Sequence, residues 1–194
     1  MSKGRLEAFS DGVIAILITI MVLELKVPHE ADWRALREVL PTLALYALSF
    51  VLVAIYWNNH HHMLHMTKRI NGRILWANNH LLFWLSLIPF CTLWHGEHLH
   101  ASLPAAIYGV VLFMSGIAYT ILQATIIRDQ GPGSPLKAAV GSDMKGYASA
   151  VLYASAIAGA FVRPWISDVI FVVVALMWLV PDKRLESRLT GTSS

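Results

Sequence analysis

AFSDGVIAILITIMVLEL, residues 8–25, is the stretch whose reading decides the fold. Ser10, Asp11, Thr19 and Glu24 are its polar side chains, and nearly everything else is large and apolar. At about 1.5 Å per residue, a helix of this length approaches the roughly 30 Å hydrocarbon core of a bilayer. The run is longer than the apolar core of a secretory signal. Met21-Val22-Leu23-Glu24-Leu25 offers no small-x-small cleavage site, so we read it as a retained span. An acid at its front and a hydroxyl at Thr19 then need explaining, because polar groups in lipid must find partners.

The rest of the chain agrees with this start. Of 194 residues, 56% are hydrophobic and only 14% charged, about half the charged share of a soluble domain. Mean hydropathy is +0.56, too apolar for water-facing residues to cover. We expect an all-α integral membrane protein with six spans, near 8–25, 41–66, 74–94, 104–127, 146–162 and 165–181. Six spans leave no room for a soluble domain, so 1–194 reads as one transmembrane unit. Glu30 to Leu40, with Trp33, Leu36, Val39 and Leu40 at helical spacing, reads as a short interfacial helix. Asp129 to Pro135 is the clearest loop. The fifth span is rich in Ala, Gly and Ser and should pack closely against protein. The single cysteine, Cys91, excludes an intrachain disulfide and reads as a small core residue.

Lys and Arg set the orientation. With six spans both termini share a side. That side collects Lys3, Arg5, Lys68, Arg69, Arg73, Arg128, Lys137, Lys145, Lys183, Arg184 and Arg188, eleven in all, against Lys26, Arg34, Arg37 and Arg163 opposite. The expectation is a multi-pass protein of the cell membrane with both termini cytoplasmic. The net charge of +3 is then a topology signal rather than a nucleic-acid surface. This topology brings the Ser10–Asp11 pair, the Trp57–His65 end of span two and Asn78, Asn79 and His80 to one level. Asp11 is expected to take donors from spans two and three.

Other chemistry is sparse. His61 and His65, four apart on one helical face, have a spacing that suits a metal ion. The box contains no carboxylate and has no second copy, so hydrogen-bonding interfacial histidines explain it better, and neither metal nor cofactor is expected. His95, His98 and His100 read as exposed loop histidines, with weak divalent binding or pH sensing as the alternative. Glu24 and Lys26 read as interface anchors, or as a charged mouth that attracts cations. There is no G-x-S-x-G, no P-loop, no dinucleotide fingerprint and no T-V-G-Y-G filter.

The spacing Arg5-x-x-x-Phe9-Ser10-Asp11-Gly12-Val13-x-Ala15-Ile16-x-x-Thr19-x-x-x-Leu23-Glu24 resembles the signature of the prokaryotic TMEM175 family of potassium-permeable channels. Tyr56-Trp57-x-x-His60 and Ser86-Leu87-Ile88-Pro89-Phe90 fit it too. The resemblance implies a homotetramer of six-helix subunits with no re-entrant filter, its pore lined by the first helix of each. It implies that Ile16, Ile20 and Leu23 form the constriction and that Thr19 bears on selectivity. It implies packing and assembly roles for Arg5, Phe9, Ser10, Asp11, Trp57 and His60.

Helical geometry agrees. At about 100° per residue, Gly12, Ile16, Thr19, Ile20 and Leu23 share a stripe about a quarter-turn wide. Asp11, Ile14, Ile18, Val22 and Leu25 lie opposite, so Asp11 is expected to point away from the stripe into the bundle. Both sides are apolar, so geometry alone does not tell pore from lipid. A hydroxyl bonded back to its own helix also accounts for Thr19. The function expected is a potassium-permeable channel with an apolar constriction and modest selectivity over sodium, whose partners are potassium ions and the bilayer. The alternatives are a proton channel or proton-linked transporter using Asp11 and the histidines, and a membrane metalloenzyme using the histidine box.

Overall fold

The computed structural model describes residues 2–179. The expected end of the sixth span at 180–181, and the basic Lys183, Arg184 and Arg188, lie outside the described residues. Eight helices follow in order: α1 (Lys3–Leu23), α2 (Trp33–His65), α3 (Gly72–Ser86), α4 (Ile88–Glu97), α5 (Ser102–Gln130), α6 (Pro135–Val140), α7 (Met144–Ala160) and α8 (Pro164–Leu179). No strand occurs among the described residues.

Side-chain caps set several of the starts. Asp32 Oδ1 accepts from Ala35 N at 2.7 Å, and Asn71 Oδ1 accepts from Ile74 N at 3.0 Å. Each satisfies one of the orphan amides that a helix leaves at its start. The Asp32 cap corrects one expectation. The stretch 30–40 is not a separate interfacial helix: 33–40 are the first turns of α2, which runs through Pro41 without a break. At about 1.5 Å per residue α2 is near 50 Å long, so part of it extends beyond the hydrocarbon. The third span is the reverse case. It divides at Leu87, where Pro89 has no amide to bond the carbonyl of Leu85 and α4 starts afresh. The loop expected at 129–135 is shorter, 131–134, because α5 runs on through Gln130 and Pro135 opens the short α6, which Ser134 caps.

Four segments are long and apolar enough to cross a membrane: α1, α2, the Gly72–Glu97 pair α3–α4, and α5. Helices α7 and α8 have 17 and 16 residues and fall short of that length as described. The crossings alternate in direction. At one end Lys3 Nζ reaches the carbonyl of His65, Gln130 Nε2 reaches that of Met66, and Asn71 Nδ2 donates to Asp129. At the other, Lys26 meets Glu97 and Thr42 meets Gly96.

The core gathers around α5, which packs against α3, α4, α7 and α8. Gly109 shows how closely: a Cβ there would stand 3.0 Å from Ile157 and 3.3 Å from Phe171. Small residues permit such approaches, which supply van der Waals contact where lipid removes the usual hydrophobic drive. Helix α1 lies at the edge of this bundle. Leu6, Ser10, Ile14, Leu17 and Met21 face α2, α3 and α4, and the opposite side of α1 has no helix packed on it among the described residues.

Candidate pore face and its polar support

The buried stripe of α1 recurs every three or four residues, which is one helical face. The exposed stripe follows the same rhythm, displaced around the helix. Ile16 is 58% exposed, Ile20 41% and Leu23 75%, and Gly12 and Thr19 lie on the same open side. The constriction residues expected from the sequence therefore share one unpartnered face. Thr19 Oγ1 donates to the carbonyl of Ala15 at 2.9 Å. Its one proton is committed to its own helix, so what it presents outward is oxygen lone pairs.

The signature residues separate into a buried and an exposed set. Ser10 is fully buried and donates to the carbonyl of Leu6 at 2.9 Å. Its oxygen accepts from Asn78 Nδ2 at 3.0 Å, and Asn78 Oδ1 lies 2.7 Å from His60 Nε2. The proton order follows. The Ser10 proton is spent on Leu6, so the amide nitrogen of Asn78 must face Ser10. Its oxygen then faces His60, which carries a proton on Nε2. One chain of bonds thus ties α1, α3 and α2 together inside the bundle.

Asp11 is not buried, which corrects the expectation that it points into the bundle. It lies on the exposed flank of α1 and accepts from Trp57 Nε1 at 2.9 Å, a donor from α2 alone. A step of about 100° around the helix separates it from Ser10, and Ser10 takes the inward position. Phe9 and Trp57 are about half exposed beside it, and Arg5 is exposed. Asn78 is the residue the motif did not contain. Its signal was an amide inside an apolar run, where lipid tolerates it only if it is bonded.

The histidines divide in a similar way. His60 turns to Asn78, whereas His61 stacks on Trp57 with ring centroids 6.0 Å apart and stays exposed. Among the described residues, no three His, Cys, Asp or Glu side chains converge where an ion could sit. At the opposite end His95 is not an exposed loop histidine. It lies in the last turn of α4, fully buried, with Nε2 2.6 Å from Asp168 Oδ1 on α8. Lys26 donates to Glu97 at 2.5 Å, so it is paired rather than free at the mouth. A hydroxyl chain lies nearby. Ser49 Oγ is 2.7 Å from both Thr92 Oγ1 and Tyr108 OH, and Thr92 donates to the carbonyl of Ile88.

Residues 5–89 match the family model described as the endosomal/lysosomal potassium channel TMEM175. A potassium channel of Chryseobacterium sp. (strain P1-3) is 55% identical over 189 residues, 97% of this chain and 98% of that one. The crystal structure of a lysosomal potassium-selective channel TMEM175 homolog from Chamaesiphon minutus superposes with a TM-score of 0.78 at 28% identity, covering 92% of this chain and 96% of that one. The endosomal/lysosomal proton channel TMEM175 of Danio rerio is 26% identical over 132 residues, 65% of this chain and 24% of its own length. With its membrane-spanning helices and a relative matched along nearly its whole length, this chain is a multi-pass membrane protein that belongs to the TMEM175 channel family.

Proposed function

We propose that the chain is a potassium-permeable channel in which the open face of α1, contributed by four copies, encloses the conducting path. The observation that carries this reading is the stripe Ile16, Thr19, Ile20 and Leu23, which the chain leaves unburied while the opposite face of the same helix is packed. One subunit cannot enclose a path with a single helical face, so the reading requires an oligomer. A tetramer of six-crossing subunits, with both termini cytoplasmic in the cell membrane, is the assembly we adopt. In it α7 and α8 supply the last two crossings.

The mechanism follows from the side chains. Rings of Ile16, Ile20 and Leu23 make a narrow apolar passage that resists hydration, so an ion crosses it only by shedding part of its water. Thr19 supplies lone pairs inside that dry stretch, aimed outward because its proton is held by Ala15. Few oxygens in a flexible ring discriminate modestly between potassium and sodium. Ser10, Asn78 and His60 bear on how α1 is held rather than on permeation.

Conduction of protons by the same path is a second reading, favoured by the naming of the Danio rerio relative as a proton channel. Reversal potentials in planar bilayers, with potassium and proton gradients set separately, decide between them. A potential that follows the potassium gradient supports the first reading, and one that follows only pH supports the second. Absence of current under every gradient would sink both.

A further inference from the structure

Three consecutive residues at the end of α4 reach three different parts of the chain. His95 Nε2 lies 2.6 Å from Asp168 Oδ1 on α8. The carbonyl of Gly96 accepts from Thr42 Oγ1 on α2 at 3.0 Å, and a Cβ on Gly96 would stand 2.9 Å from that threonine. Glu97 accepts from Lys26 Nζ, just beyond α1, at 2.5 Å. Helix α4 also packs directly on α1. The last turn of α4 is therefore a hub that ties α8 and α2 to the end of the proposed pore helix.

Of the three links, only the His95–Asp168 pair contains a side chain whose ordinary titration falls near neutral pH. His95 is fully buried, and its Nδ1 has no hydrogen-bond partner. The Asp168 side chain, in the second turn of α8, is 33% exposed. With His95 neutral, Nε2–H donates to the carboxylate and the pair carries one negative charge. With both ring nitrogens protonated, the pair has no net charge and its bond, charge-assisted by the carboxylate in either state, joins two ionised partners, the stronger arrangement. Nδ1 lacks a partner either way, as a lone pair in one state and as an N–H in the other, so what a proton changes is the grip of α4 on α8.

Helix α5 presents Tyr108, whose ring centroid is 6.1 Å from that of His95. Helix α2 contributes Thr42 and Ser49 to the region, and neither titrates. On α4 itself lie Cys91 and Glu97, the latter held by Lys26, and His98 follows at the helix end.

We infer that the His95–Asp168 pair is a proton-binding site, distinct from the α1 stripe, whose occupancy sets how firmly the α4 hub holds α8 and the end of α1. Its effect on ion flow rests on the channel reading above; the proton site itself does not.

Potassium flux from vesicles and the thermal midpoint of the assembled protein, each followed from about pH 5 to about pH 8, test it in wild type, His95→Gln, Asp168→Asn and His98→Gln. Wild type and His98→Gln should show a flux change of about tenfold across this range, the rate equivalent of ~1.4 kcal/mol. His95→Gln and Asp168→Asn should be nearly flat, and the pH dependence of their thermal midpoints should shrink. If both pair variants assemble and keep the wild-type profiles, the inference is overturned. If no protein conducts at any pH, the channel reading fails while the thermal profiles still report the site. Should the pair variants not fold, nitrogen NMR of histidine-labelled wild type reads Nδ1 directly, and a His95 signal unchanged across the range overturns the proposal.

Discussion

The two faces of α1 are made of the same kinds of residue and have opposite surroundings. Ile14 and Ile16 are two positions apart; one is 1% exposed and the other 58%. The buried face carries Ser10, whose hydroxyl is bonded on both sides. The open face carries Thr19, whose hydroxyl is bonded only to its own helix. Neither hydropathy nor side-chain type distinguishes them. The lesson is that a helix in this family is divided by what packs on it, and one substitution should mean different things on its two sides.

Asparagine introduced at both positions gives the largest contrast. Ile14→Asn removes a packed side chain, at about 2–5 kcal/mol, and strands an amide that costs a further ~1–3 kcal/mol. No assembled protein should be recovered by size-exclusion chromatography. Ile16→Asn should assemble normally, because Ile16 lies on the open face of α1. It adds polar groups to the proposed dry ring, so flux should rise about tenfold for each ~1.4 kcal/mol taken from the barrier, and potassium-over-sodium preference should fall. Unchanged flux in an assembled Ile16→Asn protein would mean that this stripe does not line the path.

Next in size is Asn78→Ala. It leaves both the Ser10 oxygen and His60 Nε2 without their buried partner. At ~1–3 kcal/mol for each stranded group, thermal stability should drop well before ion preference changes. Asp11→Ala should cost much less, about 1 kcal/mol or below, since its bond to Trp57 is exposed and water replaces it. If the two variants were equally damaging, the division into a buried and an exposed half of the signature would be wrong. The smallest structural effect belongs to Thr19→Val, which keeps shape and removes the hydroxyl. Stability should stay within about 0.5 kcal/mol of wild type, while the reversal potential in mixed potassium and sodium shifts. An unmoved reversal potential would leave Thr19 with nothing beyond its bond to Ala15.

The helix ends teach a related point. Pro41 and Pro89 both lie in apolar runs, and a proline removes one backbone bond in either place. At Pro41 the helix continues and absorbs the presumed interfacial segment; at Pro89 it divides, giving α3 and α4. Local sequence marks where a break is cheap. Whether a break occurs depends on what packs around it.

Composition and periodicity determined that the chain lives in a membrane, because so few charges cannot cover so much apolar surface. They placed both ends of α3–α4 and α5 and the C-terminal ends of α1 and α2 within three residues, while α1 and α2 begin five and eight residues earlier than expected; they also put Gly12, Ile16, Thr19, Ile20 and Leu23 on one face, since about 100° per residue follows from helix geometry alone. Tertiary structure decided the rest. It chose which of two equally apolar faces of α1 would be covered, by presenting α2, α3 and α4 to Leu6, Ser10, Ile14, Leu17 and Met21. It seated Ser10 rather than Asp11 against Asn78, and it buried His95 against Asp168, a partner 73 residues away. A polar group in lipid must be bonded, and the sequence states that need. Which partner meets it depends on the rotation and approach of helices distant in the chain, and those are properties of packing.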